Sequence, residues 1–110
     1  AKKEPAMYGT VARFSVKPRQ DEAVMATLDR WRREGKPEAK GWVGDYILMS
    51  ERIPGEWLML VLFDNEENYR KNAVDPEQHR QFEEVRALLR ADPEWNDGAI
   101  VAIAPAAAPR

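Results

Sequence analysis

The sequence predicts an α+β fold whose elements follow the order β-α-β-β-α-β, and three observations support this prediction. Segments rich in β-branched and aromatic residues alternate with segments whose apolar residues recur at helical spacing. A tight-turn signal, Ile53-Pro54-Gly55-Glu56, joins the two middle strands as a hairpin. Two helix-start signals stand between the third strand and the last. This order is the ferredoxin-like arrangement, in which a four-stranded antiparallel sheet carries helices on one face.

The first three elements follow from local patterns. Met7 to Val16 is a strand candidate because it is rich in β-branched and aromatic residues. Gln20 to Glu34 is predicted as a helix, since three apolar residues recur at positions i, i+4 and i+7: Val24, Leu28 and Trp31. The second strand is predicted over Trp42 to Glu51, just before the turn signal.

The third strand, Trp57 to Phe63, is apolar at every position, so both of its faces are hydrophobic. The last predicted strand, Gly98 to Ala104, repeats this two-faced pattern. Helices on one side of the sheet would leave the other apolar face open, and soluble monomers seldom expose a patch of that size. We therefore expect a homodimer that forms through the sheet face.

Two helices are predicted between these strands. The first is expected to begin at Asp64, where Glu67 three residues later would complete a capping box. A stronger signal follows at Asp75, which precedes a proline suited to the first helical position, Pro76. This second helix is predicted to reach about Ala91, because the next two residues are an aspartate and a proline.

The composition limits the chemistry and the partners of the chain. Its 110 residues include one histidine and no cysteine, which excludes disulfides, thiolate zinc sites and cysteine nucleophiles. The net charge of −2 offers no basic surface for nucleic acid, and no apolar run approaches the ~20 residues that span a membrane. We therefore expect a cytoplasmic protein without nucleic-acid or membrane partners. Its single domain is predicted over residues 7–104, with tails at 1–6 and 105–110.

Several segments together resemble the antibiotic biosynthesis monooxygenase domain of the dimeric α+β barrel superfamily. They are the two-faced third strand, the segment from Asp64 to Tyr69, the helix start from Asp75 to His79 and the strand from Gly98 to Ile103. The resemblance covers nearly the whole chain. It implies a ferredoxin-like protomer whose sheet packs on the sheet of a second copy, with a ligand pocket in each protomer between sheet and helices.

The resemblance also implies a reaction class. Characterised relatives include cofactor-free oxygenases of phenols, anthrones or quinols, and haem-degrading enzymes. Haem is not expected here, because the first strand lacks an asparagine and the helix before His79 carries Tyr69 rather than a tryptophan. The expected function is a monooxygenase without metal or flavin that acts on a small aromatic molecule. The alternative is a non-catalytic homodimeric domain of the same fold that binds a small molecule or serves in stress responses.

Cofactor-free oxygenation needs a base, donors for a developing oxyanion and a dry aromatic pocket. His79 is the best candidate for the base, because it begins an apolar stripe of the second helix and is expected to point at the sheet. The alternative is a structural role at the edge of the core.

Arg13 is the second catalytic candidate, since a charge between Ala12 and Phe14 on a covered strand is unusual. It would contact a phenolate or carboxylate, or else form a salt bridge with Asp45 on another strand. Five further residues are candidate pocket walls or donors, although aromatic residues in so small a chain also build the core: Tyr46, Trp57, Tyr69, Asn72 and Phe82.

Overall fold

The protein forms one antiparallel sheet with helices on one face. The computed structural model describes residues 7–34 and 39–101, so the expected tails lie outside the described residues. In chain order the elements are β1 (Tyr8–Ser15), α1 (Asp21–Glu34), β2 (Trp42–Met49), β3 (Glu56–Phe63), α2 (Glu66–Ala73), α3 (Pro76–Arg86) and β4 (Glu94–Ala99). The strands lie in the order β2-β3-β1-β4. This topology confirms the ferredoxin-like prediction.

The core lies between the helices and one face of the sheet. Every second residue of β3 is buried there, in agreement with strand alternation: Trp57, Met59, Val61 and Phe63. The predicted stripe of α1 packs against this face, with Val24, Leu28 and Trp31 buried. Val85 of α3 and Leu89 beyond it complete the cluster.

The opposite face of the sheet is open and partly apolar. Leu58, Leu60 and Leu62 of β3 lie on this face, so both sides of the strand are hydrophobic as predicted. Their neighbours across the strand pairs include Val11, and Tyr46 and Leu48, which are 70% and 56% exposed. We refer to these six residues as the open apolar face.

The prediction for the last strand is wrong in its position. β4 covers Glu94–Ala99 rather than Gly98 to Ala104, and residues 102–104 lie outside the described residues. Its pairing begins with Glu94 opposite Arg13, because the chain returns directly along β1 after α3. The strand therefore adds polar residues to the sheet edge, where the sequence pattern predicted apolar ones.

The start of α2 differs from the prediction by one residue, whereas the start of α3 agrees with it. Asn65, one residue beyond the predicted Asp64, is the N-cap of α2, and its side chain accepts from the backbone N–H of Asn68 at 2.9 Å. The cap of α3 is Asp75, with Pro76 as the first helical residue, as predicted.

The end of α3 is set by the first strand. The helix ends at Arg86, well before the predicted Ala91. The segment that follows is bound to the end of β1 instead. The Leu88 carbonyl accepts from the Lys17 N–H at 2.9 Å, and the Arg90 N–H donates to the Ser15 carbonyl at 2.9 Å. These tertiary backbone hydrogen bonds replace the last helical turn.

Candidate functional site

A cavity of about 340 Å³ lies between the covered face of the sheet and the helices. Its volume falls in the range of small-molecule sites. All of the described elements except β2 contribute to its wall. The lining residues are Thr10, Trp31, Met59, Val61, Phe63, Tyr69, Asn72, Ala73, Gln78, His79, Phe82, Trp95 and Asp97.

The walls of the cavity are largely aromatic. Phe82 of α3 packs against Trp95 of β4 with 5.8 Å between ring centroids. Phe63 meets Tyr69 edge to face at 5.8 Å on another side, and Trp31 of α1 also lines the cavity. Such pairs hold their rings in defined orientations. The cavity therefore presents flat apolar surfaces that suit an aromatic ligand.

One end of the cavity is polar. The Tyr69 hydroxyl donates to Asp97 Oδ1 at 2.8 Å, which joins α2 to β4. Asp97 lies directly opposite Thr10 in the pairing of β1 and β4, so the two side chains lie on the same face. The Thr10 hydroxyl oxygen is buried and has no hydrogen-bond partner among the described residues. This end offers oxygen atoms beside the aromatic part of the wall.

Burial raises the pKa of Tyr69 from 10.0 to about 12. The hydrogen bond to Asp97 and the negative charge of that carboxylate contribute to the same rise, while the nearby Thr10 hydroxyl and the Arg70 guanidinium oppose it. Tyr69 is therefore a neutral phenol at physiological pH, and its proton is directed at Asp97.

Arg70 lies behind the polar end and is held by several groups. Its Nη2 donates to the Tyr8 hydroxyl at 2.7 Å, and its Nη1 is 3.6 Å from Asp97 Oδ2. Glu66, one turn earlier on α2, also pairs with it at 3.3 Å. The guanidinium stacks near the rings of Tyr8 and Tyr69. Arg70 thus supports Asp97 and Tyr69 without lining the cavity.

His79 lies at the mouth of the cavity. It is the fourth residue of α3, and its side chain is 70% exposed. Its Nε2 is 3.2 Å from Glu83 Oε1, one turn further along the same helix. The ring therefore lies at the rim rather than against the sheet, where the sequence pattern was expected to place it.

The structure brings together four of the seven predicted site residues. His79, Tyr69, Asn72 and Phe82 line the cavity. The other three predicted residues, Trp57, Tyr46 and Arg13, do not line the cavity. Trp57 is 1% exposed and packs on Phe14 in the core, and Tyr46 lies on the open apolar face.

Arg13 lies on the side of the sheet opposite the cavity. Its Nε is 3.1 Å from Glu56 Oε1, so Arg13 pairs with this carboxylate and not with Asp45, the alternative that the sequence left open beside ligand contact. Asp45 is on the covered face, where it accepts from Trp42 Nε1 at 3.0 Å. We therefore leave Arg13 out of the candidate site, contrary to the sequence-based prediction.

The sequence pattern does not identify the other nine lining residues: Thr10, Trp31, Met59, Val61, Phe63, Ala73, Gln78, Trp95 and Asp97. Trp95 and Asp97 were missed because the last strand was placed too late in the chain. Their alternation is the pattern that could have identified this strand, since both face the helices while Asn96 faces away.

Neither a metal-binding cluster nor a membrane-spanning helix is found among the described residues. Across residues 7–34 and 39–101, no group of three or more histidine, aspartate or glutamate side chains is arranged to hold a metal ion. None of the helices in these segments is long and apolar enough to cross a membrane.

Comparisons with known proteins give similarity in structure but not in sequence. No protein-family profile matches the chain, and no curated protein matches it. Among solved structures, a mutant of SnoaB, a cofactor-independent oxygenase from Streptomyces nogalater, superimposes with a TM-score of 0.77 at 16% identity. The match covers 92% of this chain and 99% of that one.

Two further structures show the same similarity. A Caulobacter crescentus protein provisionally assigned as an antibiotic biosynthesis monooxygenase gives a TM-score of 0.77 at 14% identity, covering 89% of this chain and 92% of that one. A conserved protein from Methanosarcina mazei gives a TM-score of 0.75 at 17% identity, and the match covers 86% of this chain and 92% of that one. The chain therefore has the fold of the antibiotic biosynthesis monooxygenases, as the sequence resemblance implied.

Proposed function

We propose that this protein is a cofactor-independent monooxygenase that acts on a small hydroxyaromatic molecule, such as a phenol, quinol or anthrone. The observation that carries the proposal is the cavity of about 340 Å³ with aromatic walls and one polar end. The structural similarity to a cofactor-independent oxygenase supports it. A cytoplasmic location, expected from the sequence, is part of the same proposal.

The chemistry requires a substrate that becomes electron-rich when it loses a proton. In an anthrone, removal of a ring CH₂ proton by the base leaves a stabilised carbanion. The carbanion transfers its electrons to dioxygen and forms a carbon–oxygen bond, and the resulting peroxide anion takes the proton back from the base as a hydroperoxide. Loss of water then leaves a carbonyl group, so one oxygen atom enters the product and the other leaves as water. The protein supplies a base, an orienting wall and exclusion of bulk water.

We assign the role of proton acceptor to His79. Its imidazole is the only histidine side chain in the sequence, and it lies at the cavity mouth with 70% of the side chain exposed to solvent. Glu83 at 3.2 Å would stabilise the imidazolium formed. Phe82 and Tyr69 would orient the ring of the substrate, and the Asn72 amide is available as a donor to its oxygen.

We further propose that two copies associate through the open apolar face. Three leucines of β3 and the exposed side chains of Tyr46 and Leu48 form a continuous hydrophobic surface on the sheet. Covering it with the same face of a second copy would remove apolar area from water on both protomers. Arg13 and Glu56, which form an ion pair on this side, would lie beside the interface.

A non-catalytic binding domain is the second candidate, and the exposure of His79 favours it. A proton acceptor that is 70% exposed lacks the dry surroundings that strengthen catalytic electrostatics. In that case the cavity would bind its ligand without converting it.

Oxygen consumption distinguishes the two candidates. We expect the purified protein to consume oxygen with a member of a panel of quinols and anthrones, without added metal or flavin. His79→Ala should lower turnover about 100-fold, the usual contribution of a general base, with little loss of stability. Arg80→Gln is the matched control, because Arg80 is exposed on the same helix and does not line the cavity. Binding without oxygen consumption would establish the second candidate, and full turnover by His79→Ala would contradict the assigned base.

A further inference from the structure

The polar end of the cavity contains two residues that the roles above leave unexplained, Thr10 and Asp97. They are directly opposed in the pairing of β1 and β4, so their side chains stand side by side. Asp97 lines the cavity with a side chain that is 32% exposed. Thr10 is 3% exposed, and its hydroxyl lies near the Tyr69 phenol but forms no hydrogen bond of normal geometry with a described residue. A buried hydroxyl without a hydrogen bond is uncommon and destabilising, so this one requires an explanation.

The charge at this end of the cavity is negative. In the described segments, the lining residues include one carboxylate, that of Asp97, and neither lysine nor arginine. Arg70 approaches Asp97 Oδ2 to 3.6 Å, but it is also bound to Glu66, so the three groups together carry a net charge of −1. An anionic ligand would meet repulsion here that no lining lysine or arginine offsets.

The hydrogen-bonding capacity at this end is mainly that of acceptors. The Tyr69 proton is directed at Asp97 Oδ1, so the phenol oxygen and the carboxylate of these two lining residues keep lone pairs that can accept from a ligand. A ligand hydroxyl that donates to the carboxylate would form a charge-assisted hydrogen bond. A ligand without an O–H or N–H group could not form this bond.

We propose that Asp97 is the specificity-determining residue of the cavity, which accepts the O–H of an uncharged hydroxyaromatic ligand and excludes aromatic carboxylates. The proposal rests on the ligand class given under the proposed function and narrows it. Thr10 completes the subsite. When the ligand hydroxyl takes Asp97 Oδ1, the Tyr69 O–H turns to the Thr10 hydroxyl, which otherwise lacks a partner.

Three naphthalene probes test the assignment of Asp97 by calorimetry at pH 7. 1-Naphthol carries the hydroxyl donor, 1-methoxynaphthalene has the same oxygen without its proton, and 1-naphthoate carries a carboxylate. We expect the wild-type protein to bind 1-naphthol about tenfold more tightly than either of the others. In Asp97→Asn, the binding of 1-naphthoate should improve about tenfold and the preference for 1-naphthol should fall.

Thr10→Val tests the proposed role of the Thr10 hydroxyl in this subsite. Valine has the shape of threonine without its hydroxyl, so we expect weaker binding of 1-naphthol, unchanged binding of 1-methoxynaphthalene and no loss of stability in the ligand-free protein. Thr27→Val is the matched control, because the Thr27 hydroxyl bonds to the Ala23 carbonyl on α1, away from this cavity. A merely structural Thr10 would lower stability when replaced and would affect all three probes equally.

The outcomes separate this inference from the proposed function. Equal affinity of the wild type for 1-naphthol and 1-naphthoate would overturn the role of Asp97. So would unchanged relative affinities for the three probes in Asp97→Asn. Failure of all three probes to bind would overturn it as well. Selective binding of 1-naphthol without oxygen consumption by any quinol or anthrone would sustain the inference while contradicting the oxygenase.

Discussion

The hydrogen bond between Tyr69 and Asp97 makes a measurable contribution to stability, which a double-mutant cycle isolates. A hydrogen bond to a charged group contributes about 1.5–3 kcal/mol. The Asp97 side chain is 32% exposed, so solvent screening reduces this to about 1 kcal/mol. We expect urea unfolding of the wild type, Tyr69→Phe, Asp97→Asn and the double variant at pH 7 to give a coupling energy of that size.

The pKa of Tyr69 is raised first by burial and then by the hydrogen bond to Asp97, and this rise gives the stability of the protein a distinctive pH dependence. The pKa is about 12 in the folded protein and 10.0 in the unfolded chain, so the folded state favours the protonated phenol. The stabilisation is therefore fully present below pH 10 and is lost as the pH rises from 10 to 12. A rise of two pKa units corresponds to at most about 2.7 kcal/mol, and to about 1 kcal/mol once the partial exposure of Tyr69 is considered.

The assay for this pH dependence compares unfolding free energies at pH 9 and pH 11. The wild type should lose more stability over this interval than Tyr69→Phe. Tyr46→Phe is the matched control, because Tyr46 lies on the other face of the sheet from Asp97. It is measured in the Leu60→Asp background, so that association through the open apolar face does not bury Tyr46, and it should lose as much stability over this interval as Leu60→Asp alone. A coupling energy of zero, together with identical pH profiles for the wild type and Tyr69→Phe, would refute the reasoning.

Two further predictions concern association and helix capping. Sedimentation should show that the wild type is a dimer at micromolar concentration. Leu60→Asp should yield a folded monomer, because it places a charge in the centre of the open apolar face. Val74→Asp is the control and should remain dimeric, because Val74 is an exposed apolar residue at the end of α2, away from this face. A monomeric wild type would contradict the proposed interface. Asn65→Ala should lower the free energy of unfolding by about 1 kcal/mol through loss of the α2 cap, whereas Glu67→Ala should change it by less than about 0.5 kcal/mol. An equal loss from both variants would favour the capping box over the Asn65 cap.

Several features of the fold follow from local sequence alone. The burial of Val24, Leu28 and Trp31 follows from helical periodicity, and the cap at Asp75 with Pro76 follows from backbone geometry that these residue types satisfy. The continuous apolar run of β3 likewise predicts a strand with two hydrophobic faces. Such patterns depend on neighbours within a few residues, so the sequence specifies them directly.

The candidate site could be predicted only in part. His79, Tyr69, Asn72 and Phe82 were identified because they lie on helices that must face the sheet. Arg13 was misplaced because the pattern shows that strand residues alternate but not which set meets the helices.

Tertiary structure decided the remaining features, because they depend on register between distant segments. A bulge between Trp42 and Gly44 shifts the alternation of β2, so that Asp45 and Arg13 lie on opposite faces. Pairing with β1 ends α3 early and places Asp97 beside Thr10. The sequence by itself therefore determined the order of elements and the apolar faces of α1 and β3. The cavity, its polar end and the partnership of Tyr69 with Asp97 arise only when strands and helices far apart in the chain are packed together.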